Sequence, residues 1–216
     1  MNKKKVFILG AQGMAEELYT YYKSDDSAFI AGFVVSSVPH AKFLYDKPIF
    51  NTSVLQTSKD YLLIGAIGSP ERRRWISKLE DEGFNFDTFI HHSVIIDDTS
   101  FVNKGSIICP HVVLTHNVKI GKHTIINTAA TISHDCILGD YIHVSPGVNI
   151  AGNVSVGNGS WIGIGSLVIQ RIKIGKNVFI GAGSVVVDDI PDNSLVYGVP
   201  AKPQRKISSK DWNDLL

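Results

Sequence analysis

The sequence predicts a small α/β domain over residues 1–86, a parallel β-solenoid over residues 87–191 and a tail over 192–216. Three observations carry this reading. One aliphatic residue returns at every sixth position, without a miss, from Ile90 to Val186. A second column, four residues on, holds small or apolar residues such as Val94, Ser106, Thr124, Ala130, Cys136, Val154, Ser166 and Ser184. Before residue 87 the period disappears, and short apolar runs alternate with glycine turns and amphipathic stretches.

The long column comes first. Its seventeen members, among them Ile90, Ile96, Val102, Ile108, Leu114, Ile132 and Ile150, are all Ile, Leu or Val. With half of all residues counted as apolar, chance yields such a run with probability ~10⁻⁵. Period six fits neither a helix at 3.6 nor a plain strand at 2. It fits a solenoid with three short strands per coil, whose inward residues stack coil on coil. At eighteen residues per coil, residues 90–191 make between five and six coils.

In the front part, Lys5–Leu9 reads as a buried strand and is followed by Gly10-Ala11-Gln12-Gly13-Met14-Ala15. A helix from Ala15 to about Lys23 then turns Leu18, Tyr21 and Tyr22 inward. Phe29–Val35 and Tyr61–Ile67 are the next strands. Ser69 caps a second helix with Pro70 in its first turn, Ile76 and Leu79 facing in and Gly83 ending it. Strand, glycine turn, helix and strand make a βαβ unit of Rossmann type. The turn is an incomplete dinucleotide fingerprint, with Ala15 where the third glycine belongs. It reads either as a plain tight turn or as a place where backbone N–H groups approach a phosphate at a helix N-terminus. Val35-Ser36-Ser37 has no acidic residue, so ribose binding as in a dehydrogenase is not expected.

Composition excludes several classes. With 21 Lys and Arg against 20 Asp and Glu, net charge is +1, and no basic cluster points to nucleic acid. The Met1–Lys5 start is basic, but the apolar run Val6–Leu9 stops at Gly10, too short for a signal core or membrane span. Cys109 and Cys136 are the only cysteines, so a reducing cytoplasm is expected and no disulfide framework. Cys136 falls in the small column and reads as core filler.

His134-Asp135 is the chemically suggestive pair. Histidine, with an ordinary pKa of about 6.5, accepts protons at neutral pH. A neighbouring carboxylate fixes its tautomer and stabilises the imidazolium. His134 lies two residues past Ile132, toward a coil corner, so its ring can point away from the core. His116 lies one coil earlier at the same offset. Either the two imidazoles resist being charged together or His116 turns outward into water. His40, His111 and His123 read as surface residues, and His91 and His92 as packing at the first coil.

The hexads Ile120-Gly121-Lys122-His123-Thr124, Ile162-Gly163-Ile164-Gly165-Ser166 and Ile180-Gly181-Ala182-Gly183-Ser184 resemble the hexapeptide repeat of left-handed parallel β-helix acyltransferases. The element order, the run Ile132-Ser133-His134-Asp135-Cys136 through Ser145-Pro146-Gly147 and the Gly198-Val199-Pro200-Ala201-Lys202 tail narrow the resemblance. They resemble the bacterial sugar O/N-acyltransferases, which include sialic acid O-acetyltransferases and nucleotide-sugar 4-amino N-acetyltransferases. The left-handed turn is implied by this resemblance. So are His134 as catalytic base, Asp135 as its acidic partner and His143 against the acetyl-CoA chain. Gly152 would turn its N–H to the thioester carbonyl, and Ile164, Gly198, Ala201 and Lys202 would contact the coenzyme. Asn127 would lie beside the acceptor sugar, and Gly10, Gln12 and Gly13 at the acceptor's nucleotide.

The resemblance further implies a cytoplasmic homotrimer with coenzyme sites between neighbouring β-helices, serving polysaccharide biosynthesis and using no metal. Trp161 near a coil edge, and the lack of a charged capping repeat at residue 187, agree with oligomerisation. The expected reaction is acetyl-CoA-dependent N-acetylation of the 4-amino group of a nucleotide-linked amino-deoxy sugar. Sialic acid or other small-molecule O-acetylation is an alternative. So, from another class, is a zinc-dependent carbonic anhydrase-like β-helix with His111 and His116 as ligands and a third histidine from elsewhere or from another subunit. Many nucleotide-sugar enzymes of the family carry an Asp-Asp pair after the second strand; Val35-Ser36-Ser37 lacks it, which leaves the nucleobase open.

Overall fold

The computed structural model describes residues 3–25, 28–56, 60–208 and 210–215; Met1 and Asn2 of the basic start lie outside the described residues. The chain divides into two compact units, Met1–Thr88 and Phe89–Leu216.

In the first unit β1 (Lys4–Leu9) buries Val6, Ile8 and Leu9 completely. It lies between β2 (Ala28–Val35) and β5 (Leu62–Gly65), parallel to both. β4 (Lys47–Asn51) extends the sheet in parallel beyond β2, and β3 (Phe43–Leu44) pairs antiparallel with β4 at the edge. Helix α1 (Met14–Asp25) connects β1 to β2. Ala15, Leu18, Tyr19 and Tyr22 are its buried face, the i, i+3, i+4, i+7 stripe of a helix. Tyr21 lies off that stripe and is only half-buried, so Tyr19 takes the inward place expected for it.

The third long strand is shorter than the apolar run predicted, ending at Gly65. Ser69 Oγ accepts from the Glu71 N–H at 3.3 Å, and Arg72 N–H donates to Ser69 O at 3.1 Å. One tighter turn therefore precedes α2 (Arg72–Asp81), which begins two residues after Pro70. Gly83, at φ +82, closes it. Gly83 N–H reaches Glu80 O at 2.9 Å and Phe84 N–H reaches Leu79 O at 3.0 Å, the paired bonds of a Schellman end.

The second unit is a parallel β-solenoid. Two-residue strands run from β6 (Phe89–Ile90) to β22 (Val185–Val186) and fall into three parallel sheets, here faces A, B and C in chain order. Register pairs residues eighteen apart, as in Leu114 with Ile132 and Ile132 with Ile150. From Ile108 to Val186 the predicted column is buried in one continuous core. Ile90, Ile96 and Val102 are less buried than expected, because the first coil has a neighbouring coil on one side only.

From Ser106 onward the small column is buried too, and its polar members stitch the coils together. Ser106 Oγ donates to Gly121 O at 2.8 Å and accepts the Thr124 N–H at 3.1 Å. Thr124 repeats this one coil on, donating to Gly139 O and accepting the Ile142 N–H. Hydroxyls here satisfy corner backbone groups that would otherwise be buried unpaired. At each corner one residue takes a left-handed conformation, recurring every six residues from Gly105 to Gly183 and including Asn117, Asp135 and Asn153.

The solenoid ends in a cap that the period does not announce. β23 (Ser194–Gly198) joins face A in parallel with β21 (Phe179–Ile180), and β24 (Ala201–Lys206) returns antiparallel to β23. Ile207 and Trp212, the latter on α3 (Trp212–Leu215), pack on Phe179 with Trp161 and Leu195 around them. Trp161 is thus a half-buried member of an intrachain cluster, and not an open coil edge as the sequence suggested. Among the described residues no helix is long and apolar enough to cross a membrane.

Candidate active site

Strand β13 (Thr131–Ile132) on face B delivers the chain to the corner between faces B and C. Ile132 points into the core, and the next two residues carry the backbone outward, leaving the His134 and Asp135 side chains 57% and 42% exposed. Asp135 holds the left-handed corner position, at φ +59. Short polar residues tolerate that conformation better than most, and it turns the carboxylate back onto its own neighbour. His134 Nδ1 lies 2.9 Å from Asp135 Oδ2. The other oxygen, Oδ1, accepts from Asn117 Nδ2 at 2.8 Å, from the coil below. The His134 bond first, and the Asn117 bond second, hold the Asp135 carboxyl below the ordinary carboxylate range. An ionised carboxylate only accepts, so Nδ1 carries a proton and Nε2 of the neutral ring presents its lone pair.

The ring's other neighbour is Gly152, one coil above. A Cβ placed on Gly152 would lie 2.5 Å from both Cε1 and Nε2 of His134. The absent side chain is therefore the seat of the imidazole. Among the described residues the Gly152 N–H has no backbone acceptor, whereas Asn153 N–H donates to His134 O at 2.8 Å. A basic nitrogen and a backbone donor thus stand together at one corner, the pairing that acyl transfer uses.

Further up the same corner, three coils above His134, Asp188 Oδ2 accepts from Lys202 Nζ at 2.8 Å. Gly198 and Lys202 are exposed on the β23–β24 hairpin, while Ala201 is buried in the solenoid core. Asn127 and Ile164 are not brought to His134. Both occupy the corner between faces A and B, at the far end of the face-B strands, where Asn127 Oδ1 accepts the Thr128 N–H at 2.7 Å and Ile164 is exposed. His143, on β15 (His143–Val144), is 5% exposed and stacks on Trp161 at 3.7 Å with rings 4° from parallel. In the first unit, Gly10 has φ +105 and a Cβ there would lie 2.9 Å from Ala66 O, so only glycine fits. Gln12 O and Gly13 O accept the first helical bonds of α1, and the space over Gly13 is open.

Several histidine readings change. His123 is buried, not on the surface: it lies over Gly105, where a Cβ would come within 2.1 Å of its Nδ1, and stacks on Tyr141. His111 and His116 stand at different corners, on either side of β10 (Val113–Leu114), so their sequence spacing does not converge on a metal. Among the described residues no three His, Cys, Asp or Glu side chains group as a metal site. His116 Nδ1 is 3.0 Å from Thr99 Oγ1 and 3.6 Å from Asp97 Oδ1. His91 is buried against Ser93 and His92, a packing role as expected. Burial pushes the Cys136 thiol up, and it donates to Ala151 O, which suits a filler and not a nucleophile. Asn117 was missed; its distance of eighteen residues from Asp135 was the available signal.

A family model described as bacterial transferase hexapeptide (six repeats) matches residues 153–188. No curated protein matches the sequence. Among solved structures, the chain resembles a His-to-Ala variant of GDP-perosamine N-acetyl transferase from Caulobacter crescentus, in complex with CoA and GDP-perosamine. The identity is 31%, the TM-score 0.86, and the match covers 94% of this chain and 97% of that one. The acetyltransferase domain of PglB from Neisseria gonorrhoeae, in complex with acetyl coenzyme A, matches at 28% identity and TM-score 0.86, over 94% and 100% of the chains. WeeI from Acinetobacter baumannii matches at 25% identity, with the same TM-score and coverage. The chain belongs to the hexapeptide-repeat sugar acyltransferases with a left-handed β-helix, and it is an acyltransferase.

Proposed function

We propose that the chain is an acetyl-CoA-dependent N-acetyltransferase acting on the 4-amino group of a nucleotide-linked amino-deoxy sugar. His134 is its general base. The observation that carries this is the His134–Asp135 bond at 2.9 Å, which commits Nδ1 and leaves Nε2 basic over the bare Cα of Gly152. Acetyl-CoA supplies the acyl group as a thioester. His134 Nε2 takes the proton the attacking amine loses, and Asp135 stabilises the imidazolium. The Gly152 N–H is available to the oxyanion, a donor typically worth ~3 kcal/mol in such sites. Asp188 and Lys202 on the same corner mark a line about 14 Å long, at roughly 4.8 Å per coil, along which an extended coenzyme chain fits.

The first unit serves as a Rossmann-like binder of the acceptor's nucleotide. In support, β1, β2 and β4 are parallel, and a cleft of about 350 Å³ opens where β2 and β4 end, lined by Ser36, Ser37, Val38, Asn51, Thr52 and Ser53. Ligands of open parallel sheets bind at the strands' carboxyl ends. The working form is a homotrimer. Asn127 and Ile164 stand on a different corner from His134, and a neighbouring copy supplies what one chain keeps apart. Ile95, Ile137 and Leu167, exposed and apolar on faces B and C, suit burial between copies.

A thermal-shift screen with acetyl-CoA and a panel of nucleotide-linked amino sugars identifies the acceptor. With it, His134→Ala lowers kcat by about 10²–10⁴ and leaves acetyl-CoA binding nearly unchanged. Near-normal turnover in that variant rules the assignment out.

A further inference from the structure

We infer that Asn117 is a positioning residue that clamps the Asp135 carboxylate from the coil below and so fixes the tautomer of His134. The inference rests on His134 being the base.

Asn117 and Asp135 both hold left-handed corner positions, φ +55 and +59, eighteen residues apart. A similar rung, spanning sixteen residues, closes the end of the solenoid: Asn177 Nδ2 donates to Asn193 Oδ1 at 3.1 Å at another corner. There two amides meet and either can flip. At Asn117 the partner is a carboxylate, which only accepts, so the amide nitrogen must face Asp135. That bond occupies Oδ1 and leaves Oδ2 to His134 Nδ1 at 2.9 Å. Without it the exposed carboxylate rotates freely about its Cβ–Cγ bond and holds the ring only part of the time.

Asn117 is itself held from below. Its N–H donates to Thr99 Oγ1 at 2.8 Å, and Thr99 in turn bonds Asp97. Asp135 N–H donates to His116 O at 3.0 Å, which locks the two corners in register. Three coils thus contribute to one carboxylate's orientation. A neutral amide is suited to the place: a lysine or arginine there would repel the imidazolium that forms during proton transfer.

The test uses Asn117→Gly, which keeps the left-handed backbone comfortable, and Asn117→Ala, which removes the donor without adding charge at a conformation that Ala129 adopts at another corner. In ¹⁵N-histidine-labelled protein, with the His134 signals assigned from a His134→Gln sample, the parent shows the Nδ1–H tautomer near neutral pH. Both variants shift those signals toward a mixture of tautomers, while melting temperature stays put. With the acceptor in hand, kcat falls about tenfold, as for one hydrogen bond to a charged group, and neither KM moves. In an Asp135→Asn background, Asn117→Gly costs nothing more. An unchanged tautomer in both variants overturns the clamp and leaves the base assignment standing. A shifted tautomer combined with a fully active His134→Ala enzyme overturns the base and keeps the clamp.

Discussion

Gly152→Ala isolates what the bare Cα of Gly152 does. A Cβ at that position lies 2.5 Å from Cε1 and Nε2 of His134, where ordinary contact begins at 3.4 Å, an overlap of about 0.9 Å. The exposed imidazole escapes by swinging outward, and in doing so it stretches its 2.9 Å bond to Asp135. Alanine keeps the backbone N–H, and Gly152 is not in the left-handed region, so neither the proposed oxyanion donor nor the fold is touched. A misplacement of ~1 Å in a catalytic group costs about 10²-fold, or ~2.7 kcal/mol of barrier. Steady-state kinetics with acetyl-CoA and the acceptor should therefore show kcat down about a hundredfold, with melting temperature unchanged. Combining Gly152→Ala with His134→Ala should add no further loss. If Gly152→Ala turned over within twofold of the parent, or cost as much without the histidine as with it, the seat would have no role.

The remaining predictions concern the C-terminal hairpin and helix. Lys202→Ala should raise KM for acetyl-CoA and leave the acceptor KM nearly alone; the opposite pattern would detach Lys202 from the coenzyme. Hydrogen bonds from Ser208 first, then the Arg205 pair, hold the Asp211 carboxyl far below its ordinary range. A depressed carboxylate adds stability that is fully present above its unfolded value of about 3.9 and is lost as pH falls toward the folded one. Tryptophan fluorescence should report Trp212 leaving its packed site in acid below about pH 4. Asp211→Asn should remove that transition, and its persistence would assign the pH dependence to another group.

How much of this was legible depends on which period a residue obeys. The column from Ile108 to Val186 repeats every six residues because each strand of each coil must present one aliphatic side chain to the axis, so it was readable without a structure. Gly152 lies eighteen residues past His134, so the same count predicts that they stack; the consequence, that the missing Cβ is the ring's seat, needed the geometry. Tyr21 and His123 were misread for local reasons. Ala15, Leu18 and Tyr22 already define a stripe that Tyr19 completes, and His123 is buried because Gly105 one coil below leaves it room. The cap formed by β23, β24 and Trp212 obeys no period, since it closes the end of the repeat and does not continue it.

The candidate site itself is split along the same line. Residues at one offset and one corner, His134 and Gly152 with Asp188 above, are brought together by the eighteen-residue coil. Asn117 and Asp135 meet by that rule as well, one place further into the turn. Asn127 and Ile164 share no such offset with His134, and no count along a single chain can join them, because a triangular coil keeps its corners a full strand apart. What joins different corners is a second solenoid laid alongside the first. The homotrimer itself is implied by the family resemblance; in such an assembly, if Asn127 serves the acceptor, it serves the His134 of a neighbour. Mixing His134→Ala with Asn127→Ala subunits should then regenerate some wholly intact sites at shared interfaces, with activity above either variant alone. Strictly additive activity after subunit exchange would place both residues in the service of one chain.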